Sequence, residues 1–363
     1  MISAPGFDAS SWLPVTADDA GAVGTEVEAL LQNGVCPDDP SLEPINQSTD
    51  SQSSVFYSNN MQLCFGNPQT SIGADSNPLF DVPWWFRTDF TASLRSGQDA
   101  KLVINGVVGQ ADVWVNGTEV ATEATVEGDY TSYTFDVTNL LNAGTNSLAL
   151  EIYPSNPNAM FTLDDVDWNQ IPPDNNTGVQ FPIQLHVSDA LGISNSYVTQ
   201  DDAPDLSSAA LTVHADVTNN APSPQAGLVT AVISPPGGGR SVSVSKLVTL
   251  AAGASRTVTF RPSAFPQLVI NHPQLWWPYQ MGGQPLYTLS ASVAAGGSIS
   301  DTAPAVTFGI RSVTTYLTAP SSQEPDGPGS SRSTACRSTT GPAAGRRTCS
   351  CTTPLPTWRT RSP

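Results

Sequence analysis

Residues 164–178, DDVDWNQIPPDNNTG, bring an aromatic ring, several carboxylates and several amides into one short loop. An indole face stacks on the C–H groups of a pyranose ring. Carboxylates and amides hydrogen-bond hydroxyls, and a carboxylate is the natural partner of a protonated amine. These types at this spacing nominate Asp167, Trp168, Asp174 and Asn176 as carbohydrate-binding candidates. Two adjacent prolines, Pro172 and Pro173, limit the loop's entropy before binding. The opposing reading is that Trp168 packs beneath the loop while the acids cap turns, a common habit of Asp and Asn.

Other chemistries find little support. His186, His214 and His272 have no partner pattern and read as ordinary strand or loop residues. No glycine-rich phosphate cradle and no Cys/His zinc spacing is present, so the sequence predicts neither a cofactor nor a metal. Cys36 and Cys64 bracket an insert rich in Pro, Ser and Asp, which suggests a secreted disulfide; the alternative is two unpaired thiols. Sequons occur at Asn46, Asn116 and Asn175, a pattern that also arises by chance.

The charge is unevenly placed. Residues 1–316 hold 8 basic and 30 acidic residues, a formal charge of −22. A body this acidic repels nucleic acid and anionic membranes and attracts polycations. No apolar run is long enough to span a membrane. The opening MISAPGF has no basic segment followed by an apolar stretch, so no signal peptide is visible, and APGFDASSWLPV reads like mature protein.

The elements that must position the loop are strands. Helical spacing is confined to residues 21–34, GAVGTEVEALLQNG, with Val23, Val27, Leu30 and Leu31 on one side and Gly34 as a stop. ADVWVNGTEV places Ala111, Val113 and Val115 on one face and turns at Asn116-Gly117, the pair a two-residue hairpin favours. Alternation continues through Tyr133, Phe135 and Val137, then Leu148, Leu150 and Ile152. After a Pro/Asp break at residues 200–208, Leu211, Val213, Ala215 and Val217 open a second set, which includes Tyr287, Leu289, Ala291 and Val293. The spacing suits an immunoglobulin-like sandwich of about 110 residues. Trp84 and Trp85 enter a strand, where neighbours point to opposite faces, so one is core and the other covers an interface. Trp276 and Trp277 take the same reading.

Six motifs in order carry a resemblance. VPWWFRTDF (82–90), GQADVWVNGTEV (109–120), FDVTNLLNAGTNSLALEIYP (135–154), DWNQIPPDNNTGV (167–179), LWWPYQMGGQPLYTL (275–289) and FGIRSV (308–313) resemble glycoside hydrolase family 2, and within it exo-β-D-glucosaminidases acting on chitosan. The resemblance implies an all-β chain: a jelly-roll (galactose-binding-like) sugar-binding β-sandwich over 1–199, then an immunoglobulin-like β-sandwich over 200–316. A (β/α)8 barrel follows in that family and carries the two carboxylates of a retaining mechanism. The loop of residues 164–178 leans over the barrel mouth there, and the expected ligand is an amino-sugar oligosaccharide such as chitosan. The family is extracellular. One departure stands out: in GVQFPIQL, Phe181 occupies the place of a family arginine, which removes a polar anchor for the loop.

The tail, 317–363, departs further. From Gly329 onward it holds six arginines and no acid. It reads as disordered and as the product of a shifted reading frame. Its fixed codon positions permit the Val-Asn-Gly-x-Pro and Arg-x-Gly-Gly that the family has there. The alternative is a natural Ser/Thr/Pro-rich tail. On the frameshift reading this chain lacks the barrel, its natural packing partner, and holds no catalytic residue. The expected identity is an N-terminal fragment of a family 2 hydrolase, inactive alone. A free carbohydrate-binding sandwich and an immunoglobulin-like surface interaction protein are the alternatives.

Overall fold

The computed structural model describes residues 1–19, 21–34, 79–156, 159–160 and 174–313, and the backbone of 353–354 and 358–361. It forms two compact units, Met1–Val187 with Thr352–Pro363, and Ser188–Cys351. The division falls before the strand Leu191–Asp202, which a boundary at 199/200 would split.

The first unit contains β1 (Leu13–Val15), β2 (Gly24–Thr25), α1 (Glu26–Gln32), β3 (Trp84–Ala92), β4 (Asp99–Ile104), β5 (Gln110–Val115), β6 (Thr118–Glu127), β7 (Tyr133–Asp136), β8 (Gly144–Tyr153), β9 (Gly178–Val179) and β10 (Ile183–Ser188). Two tail strands, β20 (Thr353–Pro354) and β21 (Trp358–Arg361), join them. One sheet runs β1-β21-β3-β8-β5-β6 and the other β20-β10-β4-β7. The tail was expected to be disordered, yet β21 pairs Trp358–Arg361 with residues of β3 and β1. Unpaired main-chain groups at the edge of β3 are what such a segment satisfies.

Period-two alternation builds the core. Trp84, Phe86, Ala111, Val113, Leu148, Leu150 and Ile152 are all fully buried, and each large aliphatic or phenyl group contributes about 1.5–3 kcal/mol. Trp84 lies in the core and its indole N–H donates to the Leu79 carbonyl at 2.9 Å, while Trp85 turns to the opposite face, half-buried. The β5–β6 turn is as its sequence requires, with Asn116 and Gly117 both at positive φ.

The helix is shorter than its periodicity suggests. Gly24 and Thr25 pair in antiparallel fashion with Val179 and Gly178, so the helix begins only at Glu26. Thr25 then caps α1, its hydroxyl oxygen accepting the Glu28 N–H at 3.1 Å.

The second unit contains β11 (Leu191–Asp202), β12 (Ser208–Asn219), β13 (Gln225–Ser234), β14 (Val242–Leu250), β15 (Ser255–Phe260), β16 (Val269–Asn271), β17 (Tyr287–Ala295), β18 (Ser298–Thr302) and β19 (Val306–Phe308). One sheet is β11-β12-β15 with β16 on β12; the other is β14-β13-β17-β18 with β19 on β17. Alternate residues of β12 and β17, including Leu211, Val213, Val217, Leu289 and Val293, fill the space between them. The opposite-face reading fails for Trp276 and Trp277 because they lie outside any strand. Both are half-buried; Trp276 stacks under the Arg311 guanidinium at 4.8 Å, and its main-chain N–H donates to the Ile310 carbonyl.

Candidate functional site

The end of the candidate loop, from Asp174 to Val179, is held by its backbone conformation and by its neighbours. Asn175 and Asn176 take consecutive left-handed conformations, φ 48° and 59°, which asparagine tolerates better than most residues. Thr177, buried, accepts the Ser155 N–H at 3.0 Å, and the two hydroxyls lie 2.7 Å apart. The Thr177 carbonyl accepts the Glu26 N–H at 3.0 Å. Gly178 runs against β2 so closely that a Cβ would stand 2.6 Å from the Gly24 carbonyl oxygen, so only glycine fits there.

Asp174 is the hub. It is 2% exposed. One carboxyl oxygen accepts the Val27 N–H at 2.8 Å and the other accepts the Asn176 N–H at 3.0 Å. The Thr25 hydroxyl donates to the same carboxylate. Beside it Glu26 is fully buried, and neither of its carboxyl oxygens has a hydrogen-bond partner. Burial, and then the Asp174 charge, hold the Glu26 carboxyl well above the usual range. Burial also pushes Asp174 up to about 6, against the hydrogen bonds that favour its ionised form.

The four candidates therefore separate. Asp174 points inward and caps the first turn of α1, the role that acids in turns commonly take. Asn176 is half-buried at the loop surface, its carbonyl accepting the Gln180 side-chain N–H at 3.2 Å. Asp167 and Trp168 lie outside the described residues, as do Cys36 and Cys64. Phe181 meets the ring of exposed Tyr130 at 5.8 Å, an apolar contact. Glu26 escaped sequence reading because its burial depends on a partner strand about 150 residues away. Its signal was a glutamate beside Val27 in the apolar pattern. Among the described residues no group of three or more His, Cys, Asp or Glu comes together as a metal site.

Comparison with known proteins covers both units. Residues 74–181 match the glycosyl hydrolase 2 galactose-binding domain-like family, and residues 191–311 match glycosyl hydrolases family 2. The exo-β-D-glucosaminidase of Streptomyces avermitilis is 37% identical over 86% of this chain and 30% of its own length. That of Amycolatopsis orientalis is 36% identical over 87% of this chain and 26% of its own length. The crystal structure of the Amycolatopsis orientalis exo-chitosanase CsxA superposes with a TM-score of 0.67 at 34% identity, covering 88% of this chain and 32% of that one. The chain thus spans about 30% of the length of the curated relatives it matches.

Proposed function

The chain belongs to glycosyl hydrolase family 2, and we propose that it is the N-terminal, sugar-binding portion of an exo-β-D-glucosaminidase. The observation that supports this most is the continuous match of nearly the whole described chain to enzymes of one name. Most of the relatives' length lies outside the match. In this reading the two reacting carboxylates of a retaining mechanism, about 5–5.5 Å apart, belong to that remainder. The β-sandwiches present and orient an amino-sugar chain.

Within this reading the loop of residues 164–178 supplies Asp167, Trp168 and Asn176 to the sugar, and buried Asp174 fixes the loop's base. The rest of the relatives' length is the packing partner of both sandwiches. The Cys36–Cys64 pair and the scarcity of lysine fit an extracellular protein.

The test is hydrolysis by the purified chain of aryl β-D-glucosaminides and chitosan oligomers. No turnover is expected. Turnover that disappears on replacing acids within residues 1–313 would overturn the reading, because the reaction would then reside in the sandwiches themselves.

A further inference from the structure

The second unit holds a cleft of about 220 Å³ at one end of its sandwich, where strands of both sheets meet. Ile233 of β13, Val242 of β14 and Ile270 of β16 give it aliphatic walls. Tyr287, the first residue of β17, also lines it and is 4% exposed. Two connections close the sides. One is the β13–β14 loop, PPGGGRS (235–241), which turns back through three consecutive glycines at positive φ and delivers Arg240 to the cleft. The Ser234 and Ser241 hydroxyls, 3.0 Å apart, draw its neck together. The other leaves β16 through His272, at φ 47°, whose main-chain N–H donates to the Ser207 carbonyl at 2.8 Å. It brings Gln274 against the Tyr287 hydroxyl.

The polar groups that line the cleft are donors with protons to spare. Arg240 forms no ion pair or hydrogen bond among the described residues. An exposed guanidinium is satisfied by water, so Tyr287 is the more telling group. Its hydroxyl accepts the Gln274 main-chain N–H at 2.9 Å, and among the described residues no acceptor takes its own proton. A phenol both accepts and donates, and a buried donor left without a partner is costly. The Gln274 amide spends one N–H on the Pro236 carbonyl at 3.4 Å. Among the described residues no carboxylate lines the cleft. Asp205 is near enough to couple electrostatically to His272, but the Ser207 hydroxyl, at 2.7 Å, and N–H, at 3.1 Å, engage its carboxylate.

A guanidinium and a phenol proton suit an anionic, acceptor-rich group, and the three aliphatic side chains suit an apolar body behind it. A carboxylate meets the first need, since it can accept two parallel bonds from Arg240 and a third from Tyr287. A bare phosphate or sulfate would hold a hydrated surface against the aliphatic walls. The volume equals that of about seven waters at ~30 Å³ each, room for a single ring or a short branched chain. The local charge permits an anion here. Residues 188–313 hold five basic and six acidic side chains, which nearly cancel, whereas residues 1–187 hold three and 24.

We propose that this cleft binds a small organic carboxylate, its anion on Arg240 and Tyr287 and its apolar body against Ile233, Val242 and Ile270. Such a site is independent of the glucosaminidase reading.

The experiment is titration of the full chain with benzoate, followed by calorimetry and by saturation-transfer NMR on the benzoate protons. Binding in the millimolar range is expected. It should weaken about tenfold in Arg240→Gln and about threefold in Tyr287→Phe. It should be unchanged in Arg256→Gln, which alters an exposed arginine that does not line the cleft. Benzamide keeps the ring without the charge, and acetate the charge without the ring; each is expected to bind about tenfold more weakly. Arg240 is exposed, and Tyr287→Phe keeps the ring that stacks on Phe308, so both variants are expected to melt as the wild type does. Should Tyr287→Phe melt early, Arg240→Gln and the two analogues decide the matter. Three results would overturn the assignment: no benzoate binding, an equal loss in Arg256→Gln, or acetate or inorganic phosphate binding as tightly as benzoate. None of these touches the proposed function, whose own tests are hydrolytic.

Discussion

The Asp174 carboxylate accepts the main-chain N–H of Val27 at 2.8 Å, across 147 residues of sequence. This bond ties the candidate loop to the first turn of α1. Truncating Asp174 leaves that N–H and the Asn176 N–H without acceptors in a buried place. Asp174→Ala is expected to cost about 2–4 kcal/mol, read as a lower melting midpoint of the first unit. Asp174→Asn, which keeps one of the two acceptor oxygens, is expected to cost less at pH 7.5. Equal losses in the two variants would contradict the capping role.

The same carboxyl predicts a pH response. Its folded pKa is raised to about 6, against about 3.9 in an unfolded chain. An acid whose folded pKa is the higher favours the fold when protonated, and that stability is lost as pH rises through 6. Acidification from pH 7.5 to 5 is therefore expected to stabilise the first unit by about 1.4 kcal/mol through this group. Glu26, raised by burial, acts in the same direction. Thermal melts across this range should show a rising midpoint in the wild type and a flatter line in Asp174→Asn. A midpoint that falls on acidification over this window contradicts the account.

Local chemistry was legible in the sequence and long-range chemistry was not. Asn116-Gly117 announced its hairpin, because positive φ at both positions is a property of two adjacent residues. The alternation through Leu148, Leu150 and Ile152 gave the buried face of β8 directly. The start of α1 was misplaced because Gly24 and Thr25 are claimed by Gly178 and Val179, a pairing no local pattern encodes. The candidate loop was legible as a cluster of polar types, but the inward turn of Asp174 was set by Val27 and Thr25. The cleft beside Arg240 draws on β13, β14, β16 and β17, and only the pairing of strands in two sheets assembles it.

Asn116 should be as sensitive as a core residue. Its amide donates to the Leu140 carbonyl and to the Asn146 side chain, both at 2.7 Å, and its oxygen accepts the Ser147 N–H at 2.8 Å. Asn116→Ala removes all three bonds and places a residue with a Cβ penalty at φ 51°. A loss of about 2–4 kcal/mol is expected by chemical denaturation. Because the side-chain nitrogen is fully engaged, the sequon at Asn116 is expected to be unmodified in folded material, which intact mass and peptide mapping would check. A glycan at Asn116 in protein with native spectra would contradict the network.

The central claim is that these two sandwiches serve a glucosaminidase. The most direct measurement is a chimera in which residues 1–313 replace the aligned part of the Amycolatopsis orientalis exo-β-D-glucosaminidase, assayed on chitosan oligomers and on aryl β-glucosaminides, β-mannosides and β-galactosides. The account predicts release of glucosamine and no gain on the other glycosides. A folded, soluble chimera that leaves glucosaminides intact, or that turns over a mannoside or galactoside instead, would contradict it.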